Sequence, residues 1–282
     1  MRYPFASADF TFPLLEHDRV IQLIGLLGFD GIDIGLFENR GHLQPSAVFD
    51  RAGENGRILY QKTQDAGIAV ADVFLQCDVD FEPMAINHPN PEIRRKARDW
   101  FLRTLEYANA CQSRHVTCLP GVPFEQEDYE TSFARAKEEL AWRVERARDA
   151  GLVFGTEAHT GSVADTVQRT QRMVREVPGL TLTLDYTHFA IEGIPDCEVE
   201  PLIAYATHFQ ARGAAKGVLQ TVLQENTIDY ARIVQVMQKT GYRGYIGVEY
   251  IWMEWQNANR VDNISEGIQL RRLMSAAMGA SA

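Results

Sequence analysis

Residues 180–189 read Leu-Thr-Leu-Thr-Leu-Asp-Tyr-Thr-His-Phe. Leu180, Leu182 and Leu184 alternate with Thr181 and Thr183, the period-two pattern of a short strand, and the run ends in Asp185 and His188. An acid and an imidazole therefore stand where a strand gives way to a loop. In parallel α/β proteins the carboxyl ends of the strands open onto the loops that line the pocket, so chemistry collects there. Three other strand-like stretches end in the same manner. Leu152 to His159 delivers Glu157 and His159, Tyr205 to Arg212 delivers His208, Gln210 and Arg212, and Tyr245 to Trp252 delivers Glu249.

Outward from this stretch, glycine marks one helix-to-strand junction after another: Leu27-Gly28-Phe29, Ala66-Gly67-Ile68, Ala150-Gly151-Leu152, Pro178-Gly179-Leu180 and Thr240-Gly241-Tyr242. Glycine closes a helix in the left-handed conformation without a Cβ clash, so the recurrence predicts βα repeats along the whole chain. The earlier strands fall at Phe5 to Ala8, Gly31 to Phe37, Ile68 to Leu75 and His115 to Leu119. Amphipathic helices are predicted between them, among them His17 to Leu27, one capped by Asn87-His88-Pro89-Asn90-Pro91-Glu92, and Glu127 to Ala150. Thr166 to Val177, a helix opening at Asn226 to Asp229, and Asn263 to Met278 complete the series. Eight strands joined by crossovers long enough for a helix make a parallel (β/α)8 barrel the economical topology. A doubly wound open sheet is the fallback, and no GxGxxG or GxxxxGK[ST] loop supports it. No Pro/Gly/Ser-rich linker breaks the pattern, so residues 1–282 are expected to form a single TIM-barrel domain.

Composition narrows the function classes. With 45% hydrophobic and 23% charged residues the chain has the balance of a soluble globular protein. No apolar run approaches the roughly 20 residues that span a bilayer, and Met-Arg-Tyr-Pro-Phe-Ala-Ser supplies no secretory core. A cytoplasmic protein without a membrane partner is the expectation. A formal net charge of -10 disfavours a nucleic-acid partner. The four cysteines, Cys77, Cys111, Cys118 and Cys197, lack CxxC spacing and suggest neither a disulfide framework nor structural zinc.

Residues i and i+2 of a strand share a face, so Glu157 pairs with His159, and His208 with Gln210 and Arg212. If the barrel closes, Glu157, Asp185, Gln210 and Glu249 come from four adjacent strands. Carboxylates converging there would push one another's pKa upward, and a divalent cation resolves the conflict. Taken singly, each carboxylate also reads as the partner of an arginine at the barrel mouth. The oxygen-rich donor set, without thiolate, suits manganese or magnesium, with cobalt or nickel as chemical substitutes.

On Glu157 in Gly-Thr-Glu-Ala-His, Asp185-x-x-His188, His208-x-Gln210-x-Arg212 and Val248-Glu249-Tyr250, the chain resembles the sugar phosphate isomerase/epimerase superfamily of xylose-isomerase-like TIM barrels. That superfamily includes ketose 3-epimerases and inosose dehydratases. The resemblance implies a divalent metal, Mn2+ first, held by Glu157, Asp185, Gln210 and Glu249. It departs at Gln210, where the family's pattern has a histidine; an amide oxygen can serve a hard cation, and His208 is the rival ligand. The implied activity is isomerisation or epimerisation of a sugar or keto-sugar by proton transfer next to a carbonyl. Glu157 and Glu249 would move the proton, His188 and His208 would contact substrate, and Arg212 would orient it. Trp252 would wall the pocket. The resemblance also implies a homo-oligomer or a complex with a small partner subunit.

His159 opens an alternative. A second acid or base beside Glu157 suits elimination, as in an inosose-type or 3-dehydroshikimate-type dehydratase or a two-subunit enzyme cleaving 3-oxo-C-glycosides. A structural imidazole bonded to backbone accounts for it equally well. A three-zinc DNA-repair endonuclease of the same fold would need histidines where this chain has Phe74-Leu75-Gln76 and Cys118-Leu119-Pro120. A non-catalytic sugar-binding barrel would need no opposed pair of carboxylates.

Overall fold

The computed structural model describes residues 2–279. Its eight parallel strands close in sequence order: β1 (Phe5–Ala8), β2 (Gly31–Phe37), β3 (Ala69–Gln76), β4 (His115–Cys118), β5 (Val153–Glu157), β6 (Thr181–Asp185), β7 (Ala206–Ala211) and β8 (Ile246–Val248), with β8 pairing back to β1. Helices fill the crossovers, among them His17–Leu26, Ala52–Asp65, Pro91–Ala110, Tyr129–Asp149, Val167–Glu176, Tyr230–Thr240 and Asn263–Gly279. The expected (β/α)8 barrel is the architecture. Helix starts follow from local chemistry: the side chains of Asn90, Asp128, Thr166 and Asp229 each accept a backbone N–H of the first turn. Gly241, at φ 74°, closes the helix before β8 in the left-handed conformation.

The alternation in β6 sorts its side chains between two environments. Leu182 and Leu184 join the apolar layer that also holds the helix residues Met173 and Val174. Thr181 and Thr183 turn toward the barrel interior, where Thr183 shares a hydrogen bond with Thr117 at 2.6 Å and Thr181 with Thr207 at 2.6 Å. Below the mouth the interior is therefore polar, where many barrels stack branched aliphatic side chains. His115 bonds Asp72 at 2.7 Å and Thr207 at 2.9 Å, and His208 bonds Asp33 at 3.0 Å. The His115 and His208 rings lie 5.4 Å apart. At Gly247 a Cβ would collide with Asp33 Oδ2 and stand 3.0 Å from His208 Nε2, so glycine there leaves room for that ion pair.

Several strands end earlier than the sequence pattern predicts. β6 stops at Asp185 because its carboxylate Oδ1 accepts from Thr187 N at 2.8 Å and Thr187 Oγ1 at 2.7 Å, turning Thr187–Ala190 into a helical turn. His188 thus projects from that turn and not from a strand. β5 ends at Glu157, two residues short of His159. β8 ends at Val248; further on, Ile251 is paired with the Gln220 side-chain amide, which accepts from Ile251 N at 2.7 Å and donates to Ile251 O at 2.8 Å. Among the described residues no helix is long and apolar enough to cross a membrane.

Candidate active site at the carboxyl end of the barrel

β5, β6, β7 and β8 are consecutive in the closed sheet, and register sets Asp185 opposite Gln210 and Gln210 opposite Gly247. That register gathers the ends of four strands on one side of the mouth, above the His-Asp layer. Glu157, His188, Arg212 and Glu249, at or just beyond those ends, face a cavity of about 440 Å3, within the size range of small-molecule sites, while Asp185 and Gln210 do not line it. Its polar lining includes Arg40, Glu157, His159, His188, Arg212 and Glu249, and its apolar walls include Phe10, Phe37, Phe74, Phe81 and Trp252.

Glu157, Asp185 and His188 offer ligand atoms within 4.8 Å of one another, a geometry that can hold a metal ion. Glu249 is not in that triad; it stands behind Arg212, whose Nη1 lies 3.3 Å from Glu249 Oε2. Arg212 Nη2 donates to Asp185 Oδ2 at 2.7 Å, so the carboxylate-arginine pairing and the carboxylate cluster coexist. His188 Nε2 is 3.5 Å from the same Asp185 oxygen.

The environment divides the acids. Burial, then the charges of Glu249 and Asp185, raise the Glu157 carboxyl well above the usual range. Burial pushes Glu249 up to about 8, against the opposing pull of Arg212. Burial would raise Asp185 too, but Arg212, His188 and the Thr187 hydrogen bonds together hold it below the usual carboxylate range. Burial lowers His188 to about 3 and His159 to about 4, so both imidazoles are neutral near pH 7. His159 Nδ1 lies 2.9 Å from the Thr160 carbonyl, which can only accept, so the proton is on Nδ1 and Nε2 keeps its lone pair. His159 Nε2 is buried and has no hydrogen-bond partner.

The donor set fits a hard divalent cation. Gln210 Oε1 is a buried acceptor without a hydrogen bond, the condition a cation would relieve, and the Glu157, Asp185 and His188 ligand atoms are oxygen or imidazole nitrogen.

His208 is placed differently from the sequence-based expectation. It lies two residues before Gln210 on β7, one layer deeper at a rise of about 3.3 Å per residue. There it is bonded to Asp33 and lines a separate cavity at the amino-terminal end of the barrel. It is absent from the lining of the mouth cavity and from the Glu157-Asp185-His188 cluster. Asp33 outweighs the effect of burial and raises its imidazole to about 9, so it is a buried cation paired with an acid. Trp252 does lie on the cavity rim, 40% exposed.

Two contributors were not singled out from the sequence. Arg40, beyond β2, packs its guanidinium 4.8 Å from the Phe37 ring, bonds Gln76 and faces Glu157 and Glu249 electrostatically. Thr187 holds both Asp185 and, at 3.0 Å, Arg212 Nη2. The Asp-x-Thr spacing after a strand is the signal for Thr187; for Arg40 nothing local announces the role, because the acids it faces, Glu157 and Glu249, lie more than 100 residues away along the chain.

A closed parallel barrel with its polar cavity at the carboxyl-end mouth is the arrangement shared by (β/α)8 enzymes. Residues 21–274 match the xylose isomerase-like TIM barrel family, and the chain belongs to it. No curated protein matches by sequence. Solved structures share the fold at low identity. A D-tagatose 3-epimerase-like protein superposes with a TM-score of 0.77 at 18% identity, covering 99% of each chain. An L-ribulose 3-epimerase gives 0.77 at 15% identity, covering 99% of this chain and 96% of its own. The probable 3-DHS dehydratase AsbF from Bacillus anthracis gives 0.70 at 15% identity, covering 95% and 98%. Sugar epimerases and a dehydratase thus share this architecture.

Proposed function

We propose that this protein is a divalent-cation-dependent isomerase or epimerase acting on an unphosphorylated sugar, cyclitol or derived keto compound. The observation that carries the reading is the convergence of Glu157, Glu249, Arg212, His159 and His188 on one cavity beside the Asp185 carboxylate. Glu157, Asp185, Gln210 and Glu249 would hold the ion, with His188 a further donor beside Asp185. Manganese is the first choice, with magnesium or cobalt as alternatives. When bound, the cation supplies the positive charge that stabilises an enediolate developing at a substrate carbonyl.

The protein's own groups move the protons. Glu157, whose raised affinity for a proton makes it a competent acid or base near neutral pH, and Glu249 would exchange protons with the carbon next to the carbonyl. Arg212 and Arg40 orient oxygen atoms of the substrate, and the aromatic walls exclude water.

A lyase reading is favoured by one feature, the bare Nε2 of His159. A neutral imidazole lining the same cavity as the two glutamates can serve as a separate base for elimination or for release of an aglycone. Incubation of Mn2+-loaded protein in deuterated water with ketoses and 3-oxo sugars separates the two. Deuterium at the epimerised carbon without loss of a fragment supports the isomerase, and release of water or an aglycone supports the lyase. If neither exchange nor release occurs, while the parent protein still binds these compounds, the chain is a sugar-binding barrel and the enzymatic proposal is wrong. Glu157→Gln is expected to lower turnover by about 10²–10⁴-fold, the usual contribution of a general acid or base, with ligand binding retained.

A further inference from the structure

Arg212 is held through both terminal nitrogens of its guanidinium, while its buried Nε makes no hydrogen bond. Its side chain is 3% exposed. Nη2 donates to Asp185 Oδ2 at 2.7 Å and to Thr187 Oγ1 at 3.0 Å, while Nη1 donates to the Glu249 carbonyl at 3.2 Å and faces Glu249 Oε2 at 3.3 Å. Its backbone is clamped from the helix Tyr230–Thr240: Arg212 N donates to the Tyr230 hydroxyl at 3.1 Å, and that hydroxyl donates to the Arg212 carbonyl at 2.5 Å. The guanidinium is a cation delivered by the fold to the middle of the acid cluster.

Asp185 makes this consequential. Its Oδ1 is taken by Thr187 N and Oγ1, and its Oδ2 by Arg212. An incoming divalent ion therefore meets a guanidinium on the carboxylate oxygen it needs. Two cations on one oxygen in a buried site repel strongly, because little solvent screens them. Arg212 has somewhere to go: Thr187 Oγ1 and the Glu249 carbonyl are neutral acceptors it already reaches, and it lines the cavity that lies ahead of it.

We propose that Arg212 is a resident counter-cation, seated on Asp185 Oδ2 when no ion is bound and pushed off toward the cavity when a divalent cation enters. The inference rests on the cation-dependent reading above and adds to it the way the site is regulated. The acid cluster stays neutralised and folded without metal, the metal binds weakly and exchangeably, and its entry releases the guanidinium toward the substrate's side of the site.

The test compares the parent protein with R212M and R212K by calorimetric titration with MnCl2 and MgCl2 and by melting in EDTA. R212M is expected to bind Mn2+ at least tenfold more tightly than the parent, to melt lower in EDTA and to recover its melting temperature with Mn2+. R212K, which keeps the charge, is expected to stay within a few-fold of the parent in affinity. Crystals of the parent grown in EDTA and soaked in MnCl2 provide a readout that needs no variant: an anomalous manganese peak with Arg212 Nη2 withdrawn from Asp185 Oδ2. A manganese peak with that contact intact overturns the proposal, as does an R212M protein whose affinity and EDTA melting match the parent's. If the parent and R212M both bind no cation, the cation-dependent function fails instead, and the proposed displacement fails with it; lower melting of R212M then shows Arg212 to be a fixed replacement for the ion.

Discussion

Replacing Glu249 by glutamine gives the sharpest check on the electrostatics of the mouth. The side chain is isosteric, so the cavity wall is kept while the titrating group is lost. Glu249 is buried, and its carboxyl is raised from 4.5 to about 8. A group whose native pKa lies above its unfolded value binds more protons in the native state, so its favourable contribution is present at low pH and is lost as pH rises through that interval. At ~1.4 kcal/mol per unit, the ionised glutamate costs roughly 5 kcal/mol at alkaline pH, and half that if solvent in the cavity relaxes the charge. At ~2–4 °C per kcal/mol, the difference in melting temperature between Glu249→Gln and the parent should grow by about 5–20 °C from acid to mildly alkaline pH in EDTA. With Mn2+ present the order should reverse at alkaline pH, because only the parent retains the anionic donor. Scanning fluorimetry across pH, with EDTA and with MnCl2, reads both effects. A difference in melting temperature that stays flat with pH in EDTA would refute the claim that Glu249 is held protonated by burial.

Two further outcomes follow from the same physics. Cation binding must strip protons from Glu157 and Glu249, both raised above the usual carboxylate range, so affinity for Mn2+ should climb as pH rises toward about 8 and binding should release protons. Titration in two buffers of different ionisation enthalpy measures the release, and equal apparent enthalpies with pH-independent affinity would contradict it. In the barrel interior, Gly247→Ala would drive a methyl group into Asp33 Oδ2 beside His208. Disrupting a buried ion pair costs about 3–5 kcal/mol, which corresponds to a drop of roughly 10 °C in melting temperature; a drop under about 2 °C would mean that the Asp33-His208 pair can relax freely.

What could be read in the sequence and what could not divide along physical lines. The barrel was legible because its signals are local: Thr181 and Thr183 alternate with leucines, Gly28, Gly67, Gly151, Gly179 and Gly241 all take positive φ, and Asn90 and Asp229 cap the helices they precede. The strand ends that reach the cavity were legible for the same reason, since Glu157, Asp185 and Glu249 each close a hydrophobic run. Period-two spacing also put His208, Gln210 and Arg212 on one face, but spacing along a strand says nothing of depth. His208 sits a layer lower and answers to Asp33, 175 residues away in the chain, while Arg212 reaches the acids. Depth decides function here. The lower layer pairs its charges internally, Asp33 with His208 and Asp72 with His115, although Asp33 Oδ1 and Asp72 Oδ2 make no hydrogen bond. The upper layer leaves Gln210 Oε1 and His159 Nε2 without partners, sets Glu249 Oε2 3.3 Å from Arg212 Nη1 and gives Asp185 to the same arginine. Buried polar groups left unpaired are destabilising unless a ligand completes them, and the bare His159 Nε2, unlike the unpaired oxygens of Asp33 and Asp72, belongs to a residue that lines the mouth cavity, where a ligand can reach it.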